Sequence, residues 1–145
     1  MKKKVIILGS TGSIGKTTLD IISQNKKKYQ IILLSTNKNY KHIFLQAKKF
    51  KIKNIIIHDK KTFTEKKIFF KRKNINIYNS VNDFKKNNKM KVHYVMSAIT
   101  GIDGLKPTLD IIQITDEIAI ANKESIICGW NLISSALKKY KTKFI

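Results

Sequence analysis

Short Ile- and Val-rich runs alternate with helix-patterned stretches along almost the whole chain, a rhythm that few folds accept. The runs Val5–Leu8, Gln30–Leu34, Ile55–Ile57, His93–Ala98 and Glu117–Ala121 read as strands, with Ile75–Tyr78 as a short one. Between them fall helical patterns. One follows the first strand and carries Leu19, Ile21 and Ile22. A second, over about 39–51, sets Ile43, Phe44, Ala47 and Phe50 on one stripe. Thr62-x-x-Glu65 offers a capping box to an amphipathic segment with Phe63, Ile68 and Phe69. Ser80–Lys86 suits a helical turn or two, and Lys85–Lys91 an exposed loop. A helix over Leu105–Ile114 accepts Pro107 in its first turn, and Glu124–Tyr140 forms a long one. Strands joined by helices of this length build parallel βαβ units, and unbroken apolar strands suit a sheet covered on both faces. The expected fold is therefore α/β, a doubly wound, mainly parallel sheet with helices on both faces. With no internal repeat or linker, residues 1–145 read as one domain. Lys143–Ile145 reads as the start of a further strand, so the chain looks truncated.

No stretch reaches the ~18 consecutive apolar residues of a membrane span, and the apolar run after Met1–Lys4 is too short for a secretory signal. The single cysteine, Cys128, has no internal partner, agrees with a reducing cytoplasm and is expected to pack on an apolar helix face. The 30 Lys and Arg residues against 9 Asp and Glu give a net charge of +21. That excess would suit nucleic acid, but only Arg72 among the 30 is arginine, the side chain suited to bidentate phosphate contact and base stacking. Lysine spread through helices and loops beside abundant Asn and Ile reads as compositional drift. No nucleic-acid partner is expected, although such a surface attracts phosphorylated ligands.

Gly9-Ser-Thr-Gly12-Ser-Ile-Gly15 lies between the first strand and the first helix, the context of a dinucleotide fingerprint. Gly9 allows the turn, Gly12 the approach of a pyrophosphate, and Gly15 close packing of helix on strand. Free N–H groups and the positive end of the helix dipole then hold the phosphates, with hydroxyls from Ser10, Thr11 and Ser13. The sheet is thus expected to be Rossmann-like. NAD-specific sites carry an acid at the end of the second strand, about 20 residues beyond the glycines. This chain has Leu34-Ser-Thr-Asn-Lys-Asn39 there, with no acid. Lys38, with Ser35, Thr36, Asn37 and Asn39, favours a 2′-phosphate and hence NADP(H).

Asn122-Lys-Glu-Ser125 sits where a strand meets a helix, and strand carboxyl ends are where open parallel sheets bind ligands. Capping explains Asn122 or Ser125, and Glu124 suits a first turn. Lys123 is disfavoured there unless it meets an anion. Taken with Met96-Ser-Ala-Ile-Thr-Gly101 and the glycine loop, Ala121-Asn-Lys-Glu-Ser125 resembles the NADPH-binding N-terminal domain of 1-deoxy-D-xylulose 5-phosphate reductoisomerases, over essentially all 145 residues.

The resemblance implies an enzyme that isomerises a ketose phosphate and reduces the product with NADPH, giving 2-C-methyl-D-erythritol 4-phosphate for non-mevalonate isoprenoid synthesis. It implies a divalent cation, Mg²⁺ or Mn²⁺, and a cytoplasmic homodimer for the full-length enzyme. It gives Thr11, Gly12, Ser13 and Ile14 to the pyrophosphate of NADPH, and Asn37, Lys38 and Asn39 to its 2′-phosphate end. Asn122 and Glu124 go to the cofactor, and Lys123 to the substrate. Many relatives have Gly at the place of Asn37. The family's Pro-Val-Asp-Ser-Glu-His metal-binding segment is absent, and no cluster among the nine acids replaces it. His42, His58 and His93 fall on separate elements and read as core or surface residues. The chain is therefore expected to be inactive alone. A non-catalytic NADPH-binding remnant and a basic nucleic-acid module are the alternatives.

Overall fold

A computed structural model describes all residues, Met1–Ile145. Its centre is a seven-stranded sheet of β1 (Lys3–Leu8), β2 (Tyr29–Thr36), β3 (Asn54–Ile57), β4 (Asn76–Tyr78), β5 (Val92–Ser97), β6 (Thr115–Ile120) and β7 (Lys143–Phe144). The order is β4-β3-β2-β1-β5-β6-β7, and every pairing is parallel. The expected doubly wound α/β fold is the one observed. Val5 pairs with Ile31 on one side and with Tyr94 on the other, so β1 is the strand from which the chain winds in both directions.

Parallel strands need crossovers of one hand, and that rule sorts the helices. Helices α1 (Ser13–Ser23), α2 (Tyr40–Phe50) and α3 (Lys60–Arg72) step outward from β1 to β4 and lie on one face. There Val5, Ile7, Leu34, Ile55 and Ile57 pack against Leu19, Ile22, Ile43, Ala47 and Phe70. Helices α4 (Val81–Asn87), α5 (Leu105–Ile112) and α6 (Lys123–Tyr140) step the other way and cover the opposite face. Ile6, Leu8, Leu33, Ile56, Val95 and Ile118 meet Val81, Phe84, Ile111, Ile133 and Leu137 on that side. Each Ile or Leu so buried contributes about 1.5–3 kcal/mol.

Several local expectations are corrected. Helix α3 starts at Lys60 and is capped by Asp59, whose carboxylate accepts from the Thr62 N–H at 3.0 Å and the Thr62 hydroxyl at 2.7 Å. The Thr62–Glu65 capping box does not form, because an ionised acid one turn earlier is the stronger cap. Ile68 and Ile21 are exposed, and Phe70, not Ile68, is the anchor of α3. Lys85 to Asn87 belong to α4, and Lys85 reaches the Asp110 carbonyl (3.1 Å) and Gln113 Oε1 (2.6 Å). Cys128 is exposed and not packed, since α6 turns Gly129 and Ser125 inward instead.

Candidate functional site

The winding reverses between β1 and β5, so two loops diverge there and leave a crevice at the strand carboxyl ends, where open α/β sheets take ligands. A groove of about 630 Å³ occupies it. One wall is Gly9, Thr11 and Gly12 after β1, and the other is Ala98, Ile99 and Thr100 after β5. Thr36, Asn37, Lys38 and Asn39 after β2 and His58 after β3 extend it sideways, and Asp103 reaches it from a 3₁₀ turn, Ile102–Gly104.

The glycine loop has the geometry its spacing implies. Gly9 has φ +79°, and a Cβ on it would lie 2.6 Å from the Ala98 carbonyl oxygen. A Cβ on Gly15 would collide with the Gly9 carbonyl and Ser10 backbone. Gly12 differs: its nearest neighbour would be the Gly9 oxygen at an ordinary 3.6 Å. The space in front of Gly12 is therefore open to a ligand. Side chains of Asn39, Asp59, Ser80 and Asn122 cap α2, α3, α4 and α6, whereas α1, like α5 behind its 3₁₀ turn, has none and no acid in its first turn. Its first intrahelical bond runs from Lys16 N–H to the Gly12 carbonyl, leaving the N–H groups of Ser13, Ile14 and Gly15 without helical partners. Uncapped donors at a positive dipole end form an anion site.

Not every expected hydroxyl faces that site. Ser10 is fully buried, its Oγ donating toward Ser35 O and Gln46 Oε1. Ser35 is buried too, and its Oγ accepts the Gly9 N–H at 2.9 Å. Both lock the loop to β2 from behind, so neither can donate to a phosphate in the groove. Thr11 does line the groove, with its Oγ1 2.8 Å from that of Thr36. Ser13 and Ile14 lie exposed on the first turn of α1, outside the groove lining.

Asn37, Lys38 and Asn39 come together on the groove, where the side-chain oxygen of Asn39 also caps α2 through the His42 N–H (3.2 Å). An acid does stand nearby, Asp59, brought in after β3 and not by the end of β2. Its carboxyl is held below the usual carboxylate range, first by the Thr62 hydroxyl and N–H and less by Lys38. It faces its own helix and forms no ion pair with Lys38 within 4 Å.

Asn122 shares the rim with the groove because β5 and β6 end together, the Ala121 N–H reaching Ser97 O at 2.9 Å. It is 4% exposed; its Oδ1 accepts the Ser125 N–H, and its Nδ2 donates to the carbonyls of Ile99 and Gly101. Its amide is thus engaged in fixing the far wall of the groove. Lys123 and Glu124 are exposed on the following turn. His58 is the groove residue that sequence reasoning missed. Burial pushes its imidazole down to about 4 from 6.5, and its Nε2 has no partner in the protein. Its position after β3 was the available signal, since that is a strand's carboxyl end. No three His, Cys, Asp or Glu side chains come together as a metal site, and no helix is long and apolar enough to cross a membrane.

A tight glycine turn at the reversal point of an all-parallel sheet defines a Rossmann-like domain. The family model for 1-deoxy-D-xylulose 5-phosphate reductoisomerase matches residues 5–129, and the chain belongs to that family. It is 51% identical to the reductoisomerase of Pelagibacter ubique over 99% of this chain and 37% of that protein. For the Clostridium novyi reductoisomerase the values are 36%, 99% and 38%. The chain thus spans little more than a third of the length of these relatives. The Zymomonas mobilis reductoisomerase, solved in complex with NADPH, superposes with a TM-score of 0.87 at 32% identity, covering 100% of this chain and 38% of that one. Homoserine dehydrogenase of S. aureus, at 15% identity and TM-score 0.56, shares the fold alone.

Proposed function

We propose that this chain is the NADPH-binding domain, residues 1–145, of a reductoisomerase acting on 1-deoxy-D-xylulose 5-phosphate. The enzyme isomerises this ketose phosphate and reduces the resulting aldehyde with NADPH, yielding 2-C-methyl-D-erythritol 4-phosphate for isoprenoid biosynthesis. The observation that carries the reading is the groove itself. It runs from an uncapped helix start to Lys38, with no acid at the end of the second strand. NADPH supplies the hydride when bound; the chain's own residues hold and orient it. Thr11, Gly12, Ser13 and Ile14 receive the diphosphate, mainly through backbone N–H groups at the positive end of α1. Asn37, Lys38 and Asn39 receive the 2′-phosphate. The Asn122–Glu124 corner, tied to the groove wall through Ile99 and Gly101, guides the nicotinamide end. Lys123, a cation at a helix start, meets the substrate's negative charge.

The divalent cation, Mg²⁺ or Mn²⁺, finds no fitting donor set in these residues, so no step is assigned to it here. On this reading the 145 residues bind NADPH without turning over the ketose phosphate. The full enzyme is a cytoplasmic homodimer, as the family resemblance implies. The test is titration with NADPH and NADH, followed by Trp130 fluorescence. The wild-type chain should prefer NADPH, and Lys38→Ala should weaken NADPH about tenfold or more while changing NADH little, because a charge-assisted contact to the 2′-phosphate is worth about 1.5–3 kcal/mol. Equal losses for both cofactors, or no binding, would remove the assignment.

A further inference from the structure

The phosphate end of the groove is shaped from behind by one side chain of α2. Ser10 stands between Gly9 and Thr11, and all its polar groups are satisfied inside the protein. Its N–H donates to Ser35 O at 2.9 Å. Its Oγ lies 2.8 Å from Gln46 Oε1, and its carbonyl accepts from Gln46 Nε2 at 2.8 Å. Gln46 is 7% exposed and lies on the inner face of α2 between Ile43 and Ala47. Both ends of its amide are thus spent on one residue of the glycine loop.

A trans peptide unit is planar, so its C=O and N–H point in opposite directions. Gln46 draws the Ser10 carbonyl inward to α2, which aims the N–H of the same unit, that of Thr11, away from α2. Thr11 lines the groove, and its N–H has no acceptor in the protein. We propose that Gln46 is a positioning residue for the cofactor, holding the Ser10–Thr11 peptide so that the Thr11 N–H donates to the diphosphate. This rests on the groove being the NADPH site. Without the Nε2 donor the buried Ser10 carbonyl would lose its partner. Rotation of the peptide to recover one would present an oxygen to the diphosphate where an N–H had been. A carboxylate at position 46 could still accept the Ser10 hydroxyl but would repel the Ser10 carbonyl, whereas a protonated carboxyl could donate to it.

The test uses the full chain with Gln46→Glu and Gln46→Met and three ligands: NADPH, ADP and adenosine 2′-monophosphate, which has no diphosphate. Binding is measured calorimetrically, with melting temperatures alongside. Gln46→Glu should weaken NADPH and ADP about tenfold at pH 8, the loss of one hydrogen bond, and leave the monophosphate within about twofold. Affinity should recover as the pH falls and the introduced carboxyl takes a proton, as burial encourages. Gln46→Met should show the same ligand pattern without pH recovery. Equal weakening of all three ligands, or no weakening, overturns the proposal. If neither variant folds, the Thr11 amide of the wild-type chain decides. Its proton resonance should move downfield with ADP and stay put with the monophosphate, and an unmoved resonance with ADP overturns the proposal. Absence of NADPH binding by the wild-type chain would instead count against the functional reading beneath it.

Discussion

His58 shows what a single residue gains from its place in the fold. Its backbone N–H bonds to Thr36 O at 3.0 Å and its carbonyl accepts from Asn79 at 3.1 Å, so the chain around it is held firmly while its Nε2 stays unpaired. Burial lowers its pKa to about 4, so the folded chain refuses a proton that the unfolded chain takes up near 6.5. The stability it preserves at neutral pH is therefore lost as pH falls from about 6.5 to about 4, and no further below. The loss reaches about 3 kcal/mol at most. His58→Asn should flatten that part of a melting-temperature profile against pH; an unchanged slope would show that other groups dominate. In the sequence the three histidines looked alike, because only the sheet order brings β3 beside the groove. Ser10 and Ser35 failed in the opposite sense: their hydroxyls resembled ligand donors, and topology placed them behind the loop. That Thr11, Asn37, Lys38 and Asn39 share one rim of the sheet was legible, since a glycine fingerprint and the end of a second strand fix where such residues must lie.

At the scale of elements, the strands were the easiest to read. Unbroken apolar runs such as Ile55–Ile57 are buried on both faces and read plainly as strand. Helix starts were harder, because Asp59 and Thr62 can both cap, and the acid one turn earlier takes the role by accepting both the N–H and the hydroxyl of Thr62. The uncapped start of α1 yields a contrast between two glycines. Gly12→Ala should leave the melting temperature nearly unchanged, since its Cβ has space, yet obstruct the diphosphate and weaken NADPH at least tenfold. Gly15→Ala should destabilise the chain by several kcal/mol through its collision with the Gly9–Ser10 backbone. Thermal melts with calorimetric titration separate the two. At α6, Asn122→Ala removes an N-cap and two bonds to the 99–101 loop, and should cost about 2 kcal/mol in denaturant unfolding. A loss under about 0.5 kcal/mol would mean that the corner is held by other contacts.

For the molecule as a whole, charge and sheet coverage set the context of the site. Against 30 basic residues there are three ion pairs, Lys91–Asp116, Lys106–Asp110 and Lys143–Glu117. Exposed pairs like these contribute roughly 0–1 kcal/mol each. The remaining lysines repel one another and draw in anions. The groove at the β1–β5 reversal is not the sole concavity: another of about 450 Å³ lies on the α1 face of the sheet, where Ile21, Tyr94 and Met96 meet Lys3, Asp116 and Glu117. The measurement that separates them most directly is amide chemical-shift mapping of the ¹⁵N-labelled chain during NADPH titration. Shifts should cluster at Thr11–Ile14, Asn37–Asn39 and Ile99–Gly101, with NADH sparing the Asn37–Asn39 set. Shifts confined to Ile21, Tyr94 and Met96, or scattered over the surface lysines, would contradict a dinucleotide lying across the sheet's reversal point.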